Sequence, residues 1–476
     1  VLRTTAILIA LGLSAASGAA FAQQTPEAGN MALVGYSDLQ GRSAYQPVIQ
    51  QQSGRWIAYI GHHGGILGRE KPVNPLTGQP EFNGTSLIDV TDPAHPKYLA
   101  HIPGEAGNYE AGGAQMVRVC DGKSLPHGDP GAVYLLRPFG NQMHEIWNTA
   151  DPSHPKLVTR VVEGLKGTHK SWWECATGIA YLVSGEPGWR VTRMTQIYDL
   201  SDPAHPVKIR DFGLVGQQPG ASGAVPTALH GMVALPEANR IYFGYGTNAD
   251  GMLQIVDRDK LLTGPKEPTE DNLRYPEVGR FLMSPFNGAH TTFPVLDMPI
   301  AEFAKNKIGR VRSFVVITDE QIKNECDEAR QMVWFVDVTV ENRPVSVATW
   351  GVPEASGNFC SRGGRFGTHS SNENMTPIYY KRVMFFSHFN AGVRAVDIRD
   401  PYHPKEIAHY IPAVTPNGDK RCVTPEQGQE HCATVIQTNN VEVDDRGYIY
   451  IVDRANNGMH ILELTGPARD AANFPK

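Results

Sequence analysis

One unit recurs along this chain and constrains its fold more than any other feature: a short β-branched run ending in a proline-bounded turn. TSLIDVTDPAHPK (residues 85–97) returns as HEIWNTADPSHPK (144–156), QIYDLSDPAHP (196–206) and VRAVDIRDPYHPK (393–405). Shorter copies are LQIVD (253–257), VWFVD (333–337) and MHILE (459–463), which makes seven. In each full copy the prolines fix φ and withhold ladder donors, so a strand must stop there and another begin, as in residues 97–102. Two further strands precede each copy. The third unit offers residues 171–175, 179–183, 196–199 and 207–210, named strands A to D. Helical repeats are excluded by the alternation and the prolines.

A four-stranded meander repeated seven times is the pattern of an all-β, seven-bladed β-propeller, in which each sheet buries both faces against its neighbours. The seventh unit has strands at 441–443, 448–452 and 460–462 and then lacks a D strand. Residues 31–36 (MALVGY) supply the missing one, so the N-terminal strand closes the last blade and removes an open edge.

Ahead of that strand, Arg3, the apolar run 6–13 and the Ala20-Phe21-Ala22 site read as a Sec signal peptide over residues 1–22. Residues 23–476 then form a single propeller domain, periplasmic or secreted. No later apolar run approaches the ~18 residues that a membrane helix needs, which excludes membrane insertion. A formal net charge of −6 leaves no basic surplus for nucleic acid. Six cysteines in an oxidising compartment permit three disulfides. Cys422 with Cys432 brackets one loop. Cys326 with Cys360 belongs to the loops around unit five, and Cys120 with Cys175 to equivalent ends of adjacent A strands.

Of 17 histidines, His95, His154, His205 and His403 belong to the repeated turn. His169, His230, His290 and His369 are different, each standing just before or at the start of an A strand in units three to six. The A strands of a propeller line its axis, so these four imidazoles converge. Beyond the histidine those strands share nothing (KSW, GMV, TTF, SSN), which argues against simple inheritance from a duplicated blade. Equivalent positions elsewhere hold Gln46, Gln115 and Asn439 or Asn440. The B-to-C loops on the same face add His62, His63 and His388, candidates for acid–base work or additional ligation. Imidazole is the commonest ligand for Zn, Cu, Fe and Ni, and a metal site needs a second shell that fixes the rings. Glu174 and Glu373, on the same A strands as His169 and His369, are the candidates for that role. No Gly-x-Ser-x-Gly, P-loop, dinucleotide or Cys-x-x-Cys-His motif is present, so hydrolase, kinase and cytochrome readings lose support.

The strand-and-turn copies resemble the LVIVD repeat of bacterial exported propeller proteins over essentially the whole mature chain, a resemblance specific for architecture and nearly silent on activity. An axial four-histidine site on seven blades is similar to that of two groups. One is the carotenoid-cleaving oxygenases, which hold Fe(II) with four histidines and three second-shell glutamates. The other is the selenium-binding protein and methanethiol oxidase group, with copper. Both resemblances stop at histidines on a propeller. Nitrogen donors and export favour copper, with iron the alternative. The expectation is a periplasmic oxidase or oxygenase acting on a small organic substrate, a thiol among the candidates. The metal ligands are His169, His230, His290 and His369. The competing reading is a non-enzymatic propeller that binds a protein or glycan of the cell envelope, with the long inserts at 321–331 and 415–432 as lid or rim. Oligomeric state is left open by the sequence.

Overall fold

The structure, a computed structural model, describes residues 25–247, 249–300, 309–424 and 428–475. The expected signal peptide lies outside the described residues. Strands group into seven antiparallel sheets that form the blades of a propeller. Blade 1 runs Ala44–Gln52, Arg55–His63, Gly84–Asp89 and Lys97–Pro103, in the order A to D from axis to rim. Blades 2, 3, 4 and 5 repeat this order from Arg118–Asp121, Trp172–Trp173, Leu229–Leu235 and Ala289–Pro299 as their A strands. In blade 6 strand A shrinks to a bridge between Ser371 and Phe386. Strands B to D are Val383–Ser387, Val393–Asp397 and Lys405–Ile411.

Blade 7 closes as the sequence requires. Met31–Ser37 pairs antiparallel with strand C, Met459–Leu464, and takes the outer D position of the sheet whose strands A and B are Thr438–Val443 and Ile449–Asp453. Just upstream, Glu27–Gly29 adds a fifth, outermost strand to blade 6. One N-terminal segment therefore staples two neighbouring blades.

Strand periodicity explains the core. In strand B of blade 1, Ala58 and Ile60 pack with Tyr450 and Val452 of blade 7, while Ile57 and Tyr59 pack with Val117 and Leu135 of blade 2. Successive residues point to opposite faces, so one apolar run feeds two inter-blade cores. All three expected disulfides form: Cys120–Cys175, Cys326–Cys360 and Cys422–Cys432. No helix among the described residues is long and apolar enough to cross a membrane.

Candidate metal centre

Backbone irregularity at the start of the A strands aims side chains at the axis. Pairing of strands A and B slips between Leu229 and Gly231 in blade 4, and between Ala289 and Thr291 in blade 5. The residue left out of register is His230 in one and His290 in the other; an unpaired bulge residue is free to turn its side chain out of the pleat. Blade 1 slips between Ala44 and Pro47, blade 7 between Thr438 and Val441. In blades 3 and 6, His169 and His369 precede the paired strand and are tied to it by N–H bonds of 3.1 Å to Val183 O and Ser387 O.

The four rings meet. Centroid separations around the group are 4.4 Å (His169 to His230), 3.9 Å (His230 to His290) and 4.2 Å (His290 to His369), and all four residues are buried. Backbone acceptors fix two tautomers: Nδ1 of His230 donates to the carbonyl of His290 (2.9 Å), and Nδ1 of His369 to that of Asn439 (2.6 Å). Nδ1 of His290 meets Thr291 Oγ1 at 2.9 Å. With the proton on Nδ1, the Nε2 lone pairs of His230 and His369 face inward. His169 Nε2 and His230 Nε2 stand 2.7 Å apart. Around one ion with metal–nitrogen bonds of about 2.0–2.1 Å, adjacent donors fall about 2.9–3.4 Å apart, so this pair needs only a small adjustment to share one. His369 Nε2 has no hydrogen-bond partner among the described residues, and a buried lone pair left so calls for a partner.

The imidazoles are in the protonation state that metal ligation requires. Burial holds all four imidazoles well below the usual histidine range, so they are neutral donors at pH 7. Glu320, just after strand B of blade 5 (Val311–Asp319), brings Oε1 to 3.6 Å from His369 Nε2 and Oε2 to 4.0 Å from His230 Nε2. Donor atoms of His230, His290 and Glu320 lie within 4.8 Å of one another. Burial raises the Glu320 carboxyl, while Arg365 and Arg454 oppose the rise. In a second cluster of donors, Cys422, Glu430 and Cys432, the two sulfurs are spent on their mutual disulfide.

The remaining sequence candidates divide. His63 reaches the group through Tyr45, with ring centroids 4.9 Å apart. His62, its neighbour on the same strand, must point the other way; its Nε2 meets Ser86 Oγ at 2.8 Å inside blade 1. His388 packs between Trp350 and Phe366, away from the four imidazoles, where its Nε2 faces the Val352 N–H at 3.5 Å. Neither expected carboxylate orients an imidazole. Glu373 lies four residues beyond His369, about 13 Å along an extended chain, and binds Lys170 and Arg118 at 2.5 and 2.7 Å. Glu174, in the turn after strand A of blade 3, pairs with Arg258 at 2.7 Å. Backbone carbonyls and Thr291 do the orienting instead.

Tyr45, like Glu320, is a residue of the group that sequence comparison missed. Its hydroxyl stands 3.2 Å from His290 Nε2 and 3.5 Å from His169 Nε2. Counting along the strand without the blade 1 bulge selects Gln46 in its place; Gln46 instead accepts from Asn440 Nδ2 at 2.6 Å.

No protein-family model matches the chain and no curated protein matches it in sequence, so the likeness to the LVIVD repeat rests on the copies themselves. Among solved structures it is similar to a hypothetical selenium-binding protein from Sulfolobus tokodaii, with TM-score 0.49 and 11% identity over 90% of this chain and 88% of that one. It is also similar to Sqt1 from Chaetomium thermophilum, with TM-score 0.48 and 8% identity over 91% of this chain and 99% of that one. Scores this low carry no functional weight; the fold assignment stands on the strand order.

Proposed function

We propose that this protein is an exported, metal-dependent oxidoreductase acting on a small organic substrate, with His169, His230, His290 and His369 holding copper or, alternatively, iron. The observation that carries this reading is the ring arrangement. Inward-facing Nε2 atoms converge while backbone carbonyls hold the opposite nitrogens of His230 and His369, the support a metal-binding imidazole requires. Bound there, either metal would supply one-electron exchange and an open coordination position for dioxygen or a thiol. The chain's own contribution is binding and proton handling. Burial keeps the imidazoles unprotonated. Glu320, next to His369 and His230, is placed to hold a proton at its carboxyl, and the Tyr45 hydroxyl stands 3.2 Å from His290 Nε2 at the edge of the group. Three disulfides support an oxidising compartment.

The test is metal quantification on protein purified from the periplasm, coupled to dioxygen uptake over a panel of thiols and aromatic alkenes. About one ion per chain is expected, the stoichiometry of a single site. His230→Ala and His290→Ala should abolish it, and His62→Gln and His388→Gln should not. Metal-free wild-type protein of unchanged stability would turn the reading towards a binding propeller.

A further inference from the structure

On the side of the imidazoles that carries Glu320, three guanidinium groups from three blades converge. Arg193 stands just before strand C of blade 3, Arg365 precedes the inner bridge of blade 6, and Arg454 follows strand B of blade 7. They share two carboxylates. Glu320 lies 3.1 Å from Arg365 and 3.7 Å from Arg454 Nη1; Glu110 lies 2.9 Å from Arg193 and 3.4 Å from Arg454 Nη2. With the histidines neutral, the three guanidinium groups outnumber the two carboxyls, a positive surplus of one, or of two when Glu320 holds a proton.

The surplus has no nearby remedy. Arg454 is only 8% exposed, and its Nη1 has no hydrogen-bond partner among the described residues. Neighbouring Asp453 accepts from the backbone N–H groups of Gln437, Ala455 and Asn457. Asp419 is taken by Arg421 at 3.2 Å. A buried guanidinium nitrogen without an acceptor is costly, and the planar fork of arginine matches a carboxylate.

The chain already presents a carboxylate to two of these arginines, and does so on a loop. Residues 104–113 connect blade 1 to blade 2 and contain four glycines. The turn Tyr109–Ala111 within them is held to the end of strand B of blade 1 by Gly64 N–H to Tyr109 O (2.7 Å) and Tyr109 N–H to Gly65 O (3.1 Å). The Glu110 side chain, 38% exposed, is the most accessible of the five charged groups.

We infer that this mouth binds a small organic carboxylate, which takes the place of Glu110 on Arg193 and Arg454 and so lies over the imidazole cluster. The inference deepens the oxidoreductase reading by naming the charge of its substrate, but binding itself does not require the ion. The test is calorimetric titration of the mature protein, as purified and after chelation, with benzoate and with uncharged benzamide at low ionic strength, alongside metal content and melting temperature. Benzoate should bind and benzamide should not. Glu110→Gln, at a partly exposed position, should tighten benzoate binding about tenfold by removing the internal competitor, and Arg454→Gln should weaken it at least about tenfold. Metal content should be unchanged in both. Equal binding of benzoate and benzamide, no binding to wild type and Glu110→Gln alike, or undiminished binding by a folded Arg454→Gln overturns the inference. Absence of metal from the wild-type protein as purified, with benzoate binding intact, would instead sink the oxidoreductase reading and leave this site standing.

Discussion

At the scale of single residues, the candidate centre depends on partners that differ from blade to blade. Tyr45 contributes a hydroxyl beside two Nε2 atoms and a ring against His63, His169 and His369. Tyr45→Phe keeps the ring and removes the hydroxyl. Its expected cost is about 1 kcal/mol in urea unfolding, one hydrogen bond's worth, with metal content unchanged; loss of the ion would make Tyr45 a ligand. Lower on the axis Glu442 faces Glu373, and burial together with that neighbour raises its carboxyl to about 8 from the usual 4.5. Between those values the folded state keeps a proton that the unfolded state releases, so stability falls as pH rises from about 4.5 to 8. Glu442→Gln should flatten that limb, read from urea midpoints at pH 5.5 and 8; an unchanged slope would place the proton elsewhere. The four axial histidines were legible because they recur before strands of one kind. Tyr45 was hidden by a bulge that shifts the count by one. Glu320, Glu110, Arg193 and Arg365 sit in irregular connections, where no period predicts convergence.

Among the elements, closure of the ring tolerates little change. Gly35 lies where the pairing of the closing strand slips between Leu33 and Gly35, and a Cβ there would stand 1.9 Å from Pro93 O in the repeated turn of blade 1. Backbone cannot give way as a flexible side chain does. Gly35→Ala should therefore cost about 1–3 kcal/mol, the range for overpacking, seen as a lowered melting temperature with the fold retained. The repeat showed which segments form strands B and C because apolar alternation and proline turns are local signals. It showed the A strands less well, since in blades 3 and 6 the pairing is only two residues and a bridge. The fifth strand, Glu27–Gly29, was not legible. Its sequence, EAG, carries no β-propensity; it is held by pairing with Lys405–Ile411 and by an ion pair of Glu27 with Arg362 at 2.7 Å. The disulfides were readable because the propeller arrangement already brings their loops together.

Across the whole molecule, the inner strands of the blades are buried on both faces, and buried histidines are distributed through blades as well as on the axis. Burial, the leading cause in each case, lowers His62 and His388 to about 3 and His144 and His460 to about 4, from 6.5. A histidine whose folded value is depressed contributes stability that is fully present above 6.5 and lost as pH falls towards the folded value. Each adds a slope of up to about 1.4 kcal/mol per pH unit in that window. Raised carboxyls act oppositely: Asp319 and Glu442, both lifted to about 8 by burial, lend stability as pH falls from 8 towards their ordinary range. Above 6.5 the raised carboxyls are the groups that titrate; below it the ten buried histidines with lowered values, the axial four among them, outnumber the six raised carboxyls. Stability should therefore peak near pH 6.5 and fall on both sides, most steeply on the acid side. Urea midpoints at pH 8, 6.5 and 5 measure this, and replacing His144 and His460 together by Gln should shallow the acid limb. Stability constant from pH 6.5 to 5 would mean that these rings reach water in the folded state, which a propeller packed face to face does not allow.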